Sequence, residues 1–342
     1  MSGAGLPVPG RVTIDDVARR AGVSRTSVSR ALLGQNKVSD QTRSRVRQAA
    51  EELGYVPSVA ASTLASGRGD TLGLLLRDAA NPAYGLLFTE LQRYGREAGR
   101  QVVSMTVTTD EHGRGQVAAL HHLVGLRVAG LVVATGGLST EQLLPFAGIL
   151  PIVRAGRPEE SGLLHAVSYD ERGGGAEVAR AIHAHGHRRV AVLVTDADVS
   201  YPEWVRGTAI VETLRALGVD VDELAVRRHF EGATEVCDLA RQRRVSAVAC
   251  PSDMRALQVL RVARSQGLRV PDDLSVTGFD GILPGADLIG LATYRIPVEE
   301  VASAAIRTLL EVVNGAEGVH QLQMSGRFVE APSLDRPVPA PT

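Results

Sequence analysis

The feature that most constrains this chain is a set of three short helical patterns within its first 54 residues. The first pattern begins at Thr13, whose hydroxyl can cap a helix while Asp16, three residues on, returns the contact. Gly22 ends that helix, and its apolar side chains recur at helical spacing, at Ile14, Val17, Ala18 and Ala21. Ser24 can cap a second helix that runs through Leu32.

The third pattern braces the first two. It begins at Ser39 or Asp40 and stops at Gly54, a residue type that suits the left-handed turn after a helix. In the second helix, Val28 and Leu32 face inward, and four polar side chains are left on the outer face: Arg25, Thr26, Ser29 and Arg30. Two helices joined by a tight turn and held by a third predict a helix-turn-helix fold.

Basic residues are concentrated in this helical part. The first 68 residues contain ten Lys and Arg against five Asp and Glu, a net charge of +5, whereas the whole chain of 342 residues has −1. Cations that neutralise phosphates drive DNA binding. An Arg fork can donate two hydrogen bonds to guanine, so Arg25 is predicted to read a base beside Thr26, and Arg30 to read a base or hold a phosphate. The alternative is that these side chains form only a solvated helix face.

From residue 71 onward, short β-rich runs alternate with helical stretches. The runs cover residues 72–76, 102–107, 129–134, 151–153, 190–194, 245–250 and 274–278. This alternation indicates parallel sheets covered by helices, and the run is too long for one compact sheet. Such folds bind small molecules at the carboxyl ends of their strands.

Composition argues against several other classes of protein. With 44% hydrophobic residues and balanced charge the chain has an ordinary globular mix, and no segment reaches the roughly 20 apolar residues of a membrane span. Residues 1–10 lack the features of a secretory signal and are expected to be a disordered leader. Two cysteines without metal-type spacing fit reduced thiols in the cytoplasm. We expect no cofactor, no metal site, no membrane partner and no enzyme activity, since no catalytic set of residues emerges.

Several motifs are shared with a known family. They are the run at 12–24 (VTIDDVARRAGVS), Val28-Ser29-Arg30, Val38-Ser39, Thr42-Arg43, Leu53-Gly54-Tyr55 and Pro57, followed by runs at 186–189, 267–273 and 276–280. On these residues the sequence resembles the lactose/galactose repressor (LacI/GalR) family over about residues 11–336. The resemblance implies a cytoplasmic, sequence-specific DNA-binding transcriptional regulator, a repressor. It would bind a pseudo-palindromic operator as a homodimer.

The resemblance also implies the architecture. A helix-turn-helix headpiece at 11–57 would be followed by a hinge helix and linker at 58–69. Two doubly wound parallel-sheet subdomains of periplasmic-binding-protein type would then make up the α/β core. The first subdomain is expected at 70–168 and 297–320, and the second at 169–296 and 321–336, joined by three crossings near 168, 296 and 321.

Eleven residues are predicted to contact DNA, some from the headpiece chemistry and some from the resemblance. They are Thr13, Ser24, Arg25, Thr26, Ser29, Arg30, Ser39, Tyr55, Ser58, Ala61 and Leu64. In the family the segment after Pro57 is a hinge helix that pairs with its dimer mate in the minor groove, and Leu64 stands where a leucine wedges between base pairs. So short a helix is unstable alone, so it should order only on DNA. The alternative is a plain linker.

The cleft between the subdomains departs from the sugar-binding members of the family. Those have an Arg three residues before a Gly, where this chain has Trp204, and Ala134, Gly156 and Ile296 stand at other positions that are usually polar. A simple hexose is therefore not expected, since each unpaired polar group costs about 1–3 kcal/mol. The predicted effector-binding residues are Asp78, Asn81, Tyr84, Trp204, Asp253 and Asp280.

The nature of the effector stays open. Trp204 and Tyr84 could stack on a sugar, a nucleoside or another flat ligand. Alternatively, Trp204 only packs the cleft wall, or the core has no small effector and responds to a partner protein. The main alternative for the whole chain is a solute-binding protein of a transport system, which shares the two-subdomain core. The headpiece and the absence of a signal sequence argue against it, and an α/β enzyme is a more distant alternative.

Overall fold

The computed structural model describes residues 12–32, 38–55, 71–78, 80–107, 114–227 and 231–338. The chain divides into two compact units, residues 1–70 and 71–342. The predicted leader and the predicted hinge, with Ser58, Ala61 and Leu64, lie outside the described residues. Within the described ranges, no helix is both long enough and apolar enough to cross a membrane.

The first unit contains the three predicted helices, α1 (Ile14–Ala21), α2 (Arg25–Leu32) and α3 (Asp40–Leu53). Thr13 and Asp16 form the predicted capping box. The Ser24 hydroxyl accepts a hydrogen bond from the backbone N–H of Ser27 at 3.1 Å, which caps α2. Gly22 and Gly54 end α1 and α3 with φ angles of 65° and 64°, in the left-handed region that favours glycine.

The apolar faces of these helices meet in one small core. Val17, Val28 and Val46, one from each helix, have no exposed surface, and alanines fill the space between them. Burying one such valine contributes on the order of 1.5–3 kcal/mol. The core therefore fixes the phase of α2 and leaves its polar residues on the opposite side.

The second unit begins with a six-stranded, all-parallel sheet. Its strands are β1 (Thr71–Leu76), β2 (Gln101–Thr106), β3 (Gly130–Ala134), β4 (Ile152–Ala155), β5 (His165–Tyr169) and β11 (Gln321–Met324). Their order is β11-β5-β4-β3-β1-β2. The helices of this subdomain are α4 (Pro82–Glu97), α5 (Arg114–Gly125), α6 (Thr140–Ala147) and α12 (Val298–Val313). Every residue of β1 and β3 is buried, as expected for strands covered on both faces.

A second six-stranded sheet has the corresponding order β12-β10-β9-β8-β6-β7. Its strands are β6 (Arg189–Thr195), β7 (Asp220–Val226), β8 (Ala247–Ala249), β9 (Ser275–Asp280), β10 (Ala292–Arg295) and β12 (Arg327–Val329), of which only β12 is antiparallel to its neighbour. Its helices are α7 (Glu171–Ala184), α8 (Tyr201–Ala216), α9 (Ala233–Arg241), α10 (Asp253–Ser265) and α11 (Ala286–Ile289). The predicted α/β fold with two parallel-sheet subdomains is confirmed.

The chain passes between the two sheets three times, and two of the predicted boundaries are corrected. Residues 321–324, predicted in the second subdomain, form β11 and pair with β5 of the first sheet. The third crossing therefore lies at 325–326, where a Cβ on Gly326 would be 1.9 Å from the Arg295 carbonyl oxygen, so that only glycine fits. Tyr169, which was also predicted in the second subdomain, is the last residue of β5 in the first sheet, so the first crossing follows it.

Candidate functional site

The outer face of α2 carries the predicted base-reading residues. Arg25, Thr26 and Arg30 are exposed, Ser29 is half-buried, and Val28 on the opposite side packs into the headpiece core. Arg25 Nη1 lies 3.7 Å from Asp15 Oδ2, with the two side chains 69% and 58% exposed. Such an exposed ion pair contributes at most about 1 kcal/mol, so the Arg25 fork can turn to another partner.

Three of the other predicted DNA contacts have a folding role. Thr13, Ser24 and Ser39 cap the N-termini of the three headpiece helices, and Ser39 accepts from the backbone N–H of Thr42 at 3.4 Å. Helix N-termini carry unpaired N–H groups and partial positive charge, which suits phosphate contacts. Tyr55 is half-buried and packs against the headpiece core, so only part of it is available to DNA.

In the second unit, a cavity of about 1500 Å³ lies between the two sheets. It is lined mainly by residues that follow the carboxyl ends of strands, where parallel sheets bind ligands. Pockets for small ligands are usually smaller, about 300–1000 Å³, so this cleft can hold a ligand together with water. Four of the six predicted effector-binding residues line it, namely Asp78, Asn81, Tyr84 and Asp280.

Trp204 does not line the cavity, and the prediction that it forms an aromatic face of the cleft is wrong. At 3.6 residues per turn, Pro202, Glu203 and Arg206 share the face of α8 that borders the cavity, and Trp204 points away from it. The Trp204 ring instead packs against Tyr201, with ring centroids 5.5 Å apart. The alternative in which Trp204 is a packing residue agrees with this position.

Asp253 also lies off the main cavity. It is buried, accepts a hydrogen bond from the Thr293 hydroxyl at 2.6 Å and one from the backbone N–H of Ile282 at 3.3 Å. It borders only a small adjoining pocket of about 10 Å³ beside Asp280. Its hydrogen bonds therefore join the start of α10 to β10 and to the loop that follows Asp280.

An arginine fork does reach the cleft, two residues beyond Trp204. Arg206 donates to Glu171 through Nε at 2.7 Å and through Nη2 at 2.8 Å, a bidentate pair between α7 and α8. Its Nη1 donates to Asp280 Oδ1 at 2.8 Å and to the carbonyl of Pro251 at 3.0 Å. The guanidinium also lies 4.0 Å above the Phe279 ring. We refer to Glu171, Arg206 and Asp280 as the buried triad.

Burial dominates the electrostatics of this triad. It raises the pKa of Asp280 to about 8, although Arg206 opposes the rise. It raises the pKa of Glu171 in the same way. Burial alone would lower the pKa of Arg206, but the two carboxylates outweigh it and the net shift is upward. Asp280 also has a φ of 108°, unusual for a residue with a side chain, so its backbone is held there by its surroundings.

The opposite side of the cleft holds a second arginine cluster. Arg154 is fully buried and donates to Glu159 at 2.7 Å and to the carbonyl of Leu138 at 2.7 Å. Arg157 donates to the carbonyl of Gly136 at 3.0 Å and to that of Leu138. Burial lowers the pKa of both arginines, and that of Arg154 reaches about 10.

Side chains of the second subdomain reach across to this cluster. The Tyr201 ring lies 4.6 Å from the Arg157 guanidinium, and its hydroxyl donates to Glu160 at 2.7 Å. Burial and this hydrogen bond raise the pKa of Tyr201 to about 12. A Cβ on Gly136 would lie 2.9 Å from Pro202 Cδ, so the Gly136 backbone lies close to the Pro202 ring of the other wall. These contacts hold the two subdomains together at one end of the cleft.

Sequence reasoning missed all five arginines that line the cavity, Arg77, Arg157, Arg206, Arg227 and Arg255. Arg206 interrupts an otherwise apolar stretch just before Gly207, and this was the available signal. His187 is buried between the Ser246 hydroxyl and the Asp335 carbonyl, at 2.8 Å from each. Among the described residues no group of three side chains could hold a metal ion.

Comparisons with known proteins agree with this architecture. The family model for bacterial regulatory proteins of the lacI family matches residues 13–58, and that for a periplasmic binding protein-like domain matches residues 179–330. The HTH-type transcriptional regulator DegA of Bacillus subtilis is 30% identical over 307 residues, which cover 87% of this chain and 90% of DegA. The chain belongs to the lacI family of bacterial regulatory proteins. It is a DNA-binding transcriptional regulator and not an enzyme, as predicted.

Solved structures are similar to this lacI-family chain over most of its length. The lac repressor dimer bound to operator and the anti-inducer ONPF has a TM-score of 0.82 and 22% identity, covering 95% of this chain and all of that one. The complex of the transcriptional regulator CelR with cellobiose has a TM-score of 0.68 and 28% identity, covering 94% of this chain and all of that one. The family assignment made from the sequence motifs is confirmed.

Proposed function

We propose that this lacI-family chain binds a pseudo-palindromic operator as a homodimer and represses transcription in the cytoplasm. The observation that supports this most is the outer face of α2, where Arg25, Thr26 and Arg30 are exposed on a helix whose other side is fixed by the core. A recognition helix of this kind fits the major groove, and two copies need half-sites about one helical turn apart. We also propose that Leu64 contacts the minor groove.

A second copy of the chain is the proposed partner. The lac repressor of similar fold was solved as a dimer on its operator. In this chain, Leu288 and Ile289 on the short helix α11 are 89% and 45% exposed. Exposed large apolar side chains next to one another favour a protein interface. We place α11 in the dimer contact, and Leu288→Asp should shift light-scattering mass from two chains toward one.

We further propose that a small molecule in the cleft changes operator affinity. The supporting observation is the cavity between the sheets, with Asp78, Asn81, Tyr84 and Asp280 on its walls. CelR, which matches this chain along its length, was solved with cellobiose. The side chains of Asp78 and Asn81 also cap local turns, accepting from the backbone N–H groups of Ala80 and Ala83, so ligand contacts would use their remaining polar atoms.

The test begins with selection of an operator from a pool of random duplexes by the full-length protein. Binding of the selected duplex and of its single-base variants is then measured by fluorescence anisotropy at two salt concentrations. Arg25→Ala should lose discrimination at one base pair per half-site, by about 1–3 kcal/mol. Arg30→Ala should weaken binding more evenly and flatten the salt dependence if it holds a phosphate.

Arg172→Ala is the matched control, because Arg172 is an exposed arginine of the second unit that pairs with Glu212. It should leave affinity and selectivity unchanged. Failure to enrich any sequence, or an Arg25→Ala profile identical to wild type, would remove α2 from base recognition.

A further inference from the structure

The two walls of the cleft differ in charge. On the first wall, formed by residues of the first subdomain, Arg77 and Arg157 outnumber the single carboxylate, Asp78. On the second wall, formed by the second subdomain, four carboxylates face three arginines. Each of those three arginines is matched by a carboxylate: Arg206 by Asp280, Arg227 by Asp198, and Arg255 by Glu203. The unbalanced positive charge is therefore on the first wall.

Arg157 differs from the second-wall arginines in its hydrogen-bond and ion-pair partners. Its Nη1 donates to two backbone carbonyls, and no carboxylate within the described ranges lies within ion-pairing distance of it. Its Nε is buried and has no hydrogen-bond partner, and its Nη2 donates to no described atom. Glu159 and Glu141 raise the pKa of Arg157 only through longer-range charge interactions, and Glu159 is already bound to Arg154. The guanidinium thus lacks a counter-ion while burial lowers its pKa.

Arg77 lies on the same wall, directly after β1. In the part of the chain that the structure describes, its guanidinium has no ion pair and no side-chain hydrogen bond. Tyr84 interacts electrostatically with both arginines. Burial raises the pKa of Tyr84, and the charge of Arg77 opposes that rise. Tyr84 in turn opposes the lowering of the Arg157 pKa by burial. All three residues line the cavity.

Arg206 cannot take the same role. Its Nε, both protons of Nη1 and one of Nη2 are used by Glu171, Asp280 and the Pro251 carbonyl. At most one of its five donors is left. An anion entering the cleft would therefore meet a neutralised arginine on the second wall and two unneutralised arginines on the first.

We propose that the effector is an anionic carbohydrate, whose phosphate or carboxylate group binds Arg157 and Arg77 while its hydroxyls donate to the carboxylates of the second wall, Asp280 first among them. Nη2 of Arg157 and the guanidinium of Arg77 can donate charge-assisted hydrogen bonds to such a group, and carboxylates accept from hydroxyls. This inference rests on the proposed function, since it names the ligand class of the same cleft.

The test uses matched probes and the full-length protein. Glucose, glucose 6-phosphate and glucuronate form one set, ribose and ribose 5-phosphate a second, and inorganic phosphate shows whether the anion alone is enough. Binding is measured by isothermal titration calorimetry. We expect at least one phosphate or carboxylate to bind tenfold or more tightly than its neutral partner.

Arginine variants test whether Arg157 and Arg77 cause the preference for the anionic probe. Arg157→Gln should reduce the ratio of anionic to neutral affinity at least tenfold and change neutral-sugar affinity less than threefold. Arg157→Lys should keep part of the ratio, and Arg77→Gln should reduce it independently. Arg172→Gln, an exposed arginine outside the cleft, is the control that should change nothing.

Three results would overturn the proposal: no anionic probe binds, a neutral sugar binds as tightly as its phosphate and its acid, or Arg157→Gln and Arg77→Gln leave the ratio unchanged. Operator binding is measured with the same probes. If a neutral sugar changes operator affinity, the proposed function stands and the anionic effector fails. If no operator is found, the proposed function fails whatever the cleft binds.

Discussion

Replacing Arg206 with methionine tests the buried triad directly. The change leaves Glu171 and Asp280 buried without their shared cation, in a space that a methionine partly fills. Removing one partner of a buried ion pair costs about 3–5 kcal/mol, because the remaining charge is uncompensated. For a unit of this size 1 kcal/mol corresponds to about 2 °C, so the melting temperature at pH 8 should fall by about 6–10 °C.

The loss should depend on pH in a defined direction. Burial raises the pKa of Asp280 to about 8 and that of Glu171 above its ordinary value, so both carboxyls bind protons more tightly in the folded state than in the unfolded state. Such groups stabilise the fold fully below their unfolded pKa values, near 4, and this contribution is lost as pH rises through the folded values. Arg206→Met removes the cation that opposes the rise of both pKa values. Both pKa values should therefore rise further, and the loss of stability with increasing pH should become larger. The deficit of the variant should therefore be smaller at pH 5.5 than at pH 8.

The assay is urea unfolding followed by the fluorescence of Trp204, the only tryptophan of the chain, which lies on the same helix as Arg206. Arg172→Met is the matched control, since it breaks another pair between α7 and α8, with Glu212, in which the side chains are 63% and 56% exposed. It should cost less than about 1 kcal/mol at either pH. Equal losses for Arg206→Met at pH 5.5 and pH 8 would refute the charge argument and leave lost packing as the cause.

Three further outcomes follow from the geometry of the second unit. Trp204→Ala should leave the affinity of any cleft ligand within about threefold of wild type in calorimetry, since the ring does not border the cavity. A loss of binding would show that Trp204 does contact the ligand. Gly136→Ala should weaken ligand binding severalfold with little change in ligand-free operator affinity, because its Cβ would meet Pro202 across the cleft at 2.9 Å; an unchanged calorimetric affinity would mean that this contact is not needed for closure. Burial lowers the pKa of His187 to about 4, so the fold should lose stability as pH falls from about 6.5 to 4, and His187→Gln should flatten that part of the unfolding curve.

The headpiece could be predicted closely because its signals are local. The capping box of Thr13 and Asp16 spans three residues, and Gly22 and Gly54 need only their own left-handed backbone. The strands β1, β3, β4, β6, β8 and β9 are also visible, since they are largely apolar runs buried in the sheets. Five of the described strands were not predicted, namely β5, β7, β10, β11 and β12. The strands β7, β11 and β12 lie at sheet edges and are partly exposed, and the short interior strands β5 and β10 contain polar residues such as Ser168 and Thr293, so none of the five is a continuous apolar run.

The cleft could be predicted only in part. Asp78, Asn81, Tyr84 and Asp280 follow strand ends or begin the next helix, where parallel strands bring side chains together. Trp204 was misplaced because α8 is buried on most of its circumference, from Pro202 to Leu214, and has no polar stripe to fix its phase. An error of two residues turns a helix by about 200°, which exchanges Trp204 for Arg206. Arg157 could not be found, since its importance depends on a three-dimensional fact, that no carboxylate of the described residues lies within ion-pairing distance of it.

The charge difference between the walls bears on how a ligand could act. Contacts of the chain itself already join the walls, through Tyr201 with Arg157 and Glu160 and through Gly136 with Pro202. A ligand shifts closure only as far as it binds the closed cleft better than the open one. A molecule that touches Asp280 alone gains nothing from closure, whereas one held at its acidic end by Arg157 and at its hydroxyls by Asp280 touches both walls only when they are together. An anionic carbohydrate should therefore change operator affinity more than a neutral sugar of equal cleft affinity, because more of its binding free energy depends on closure.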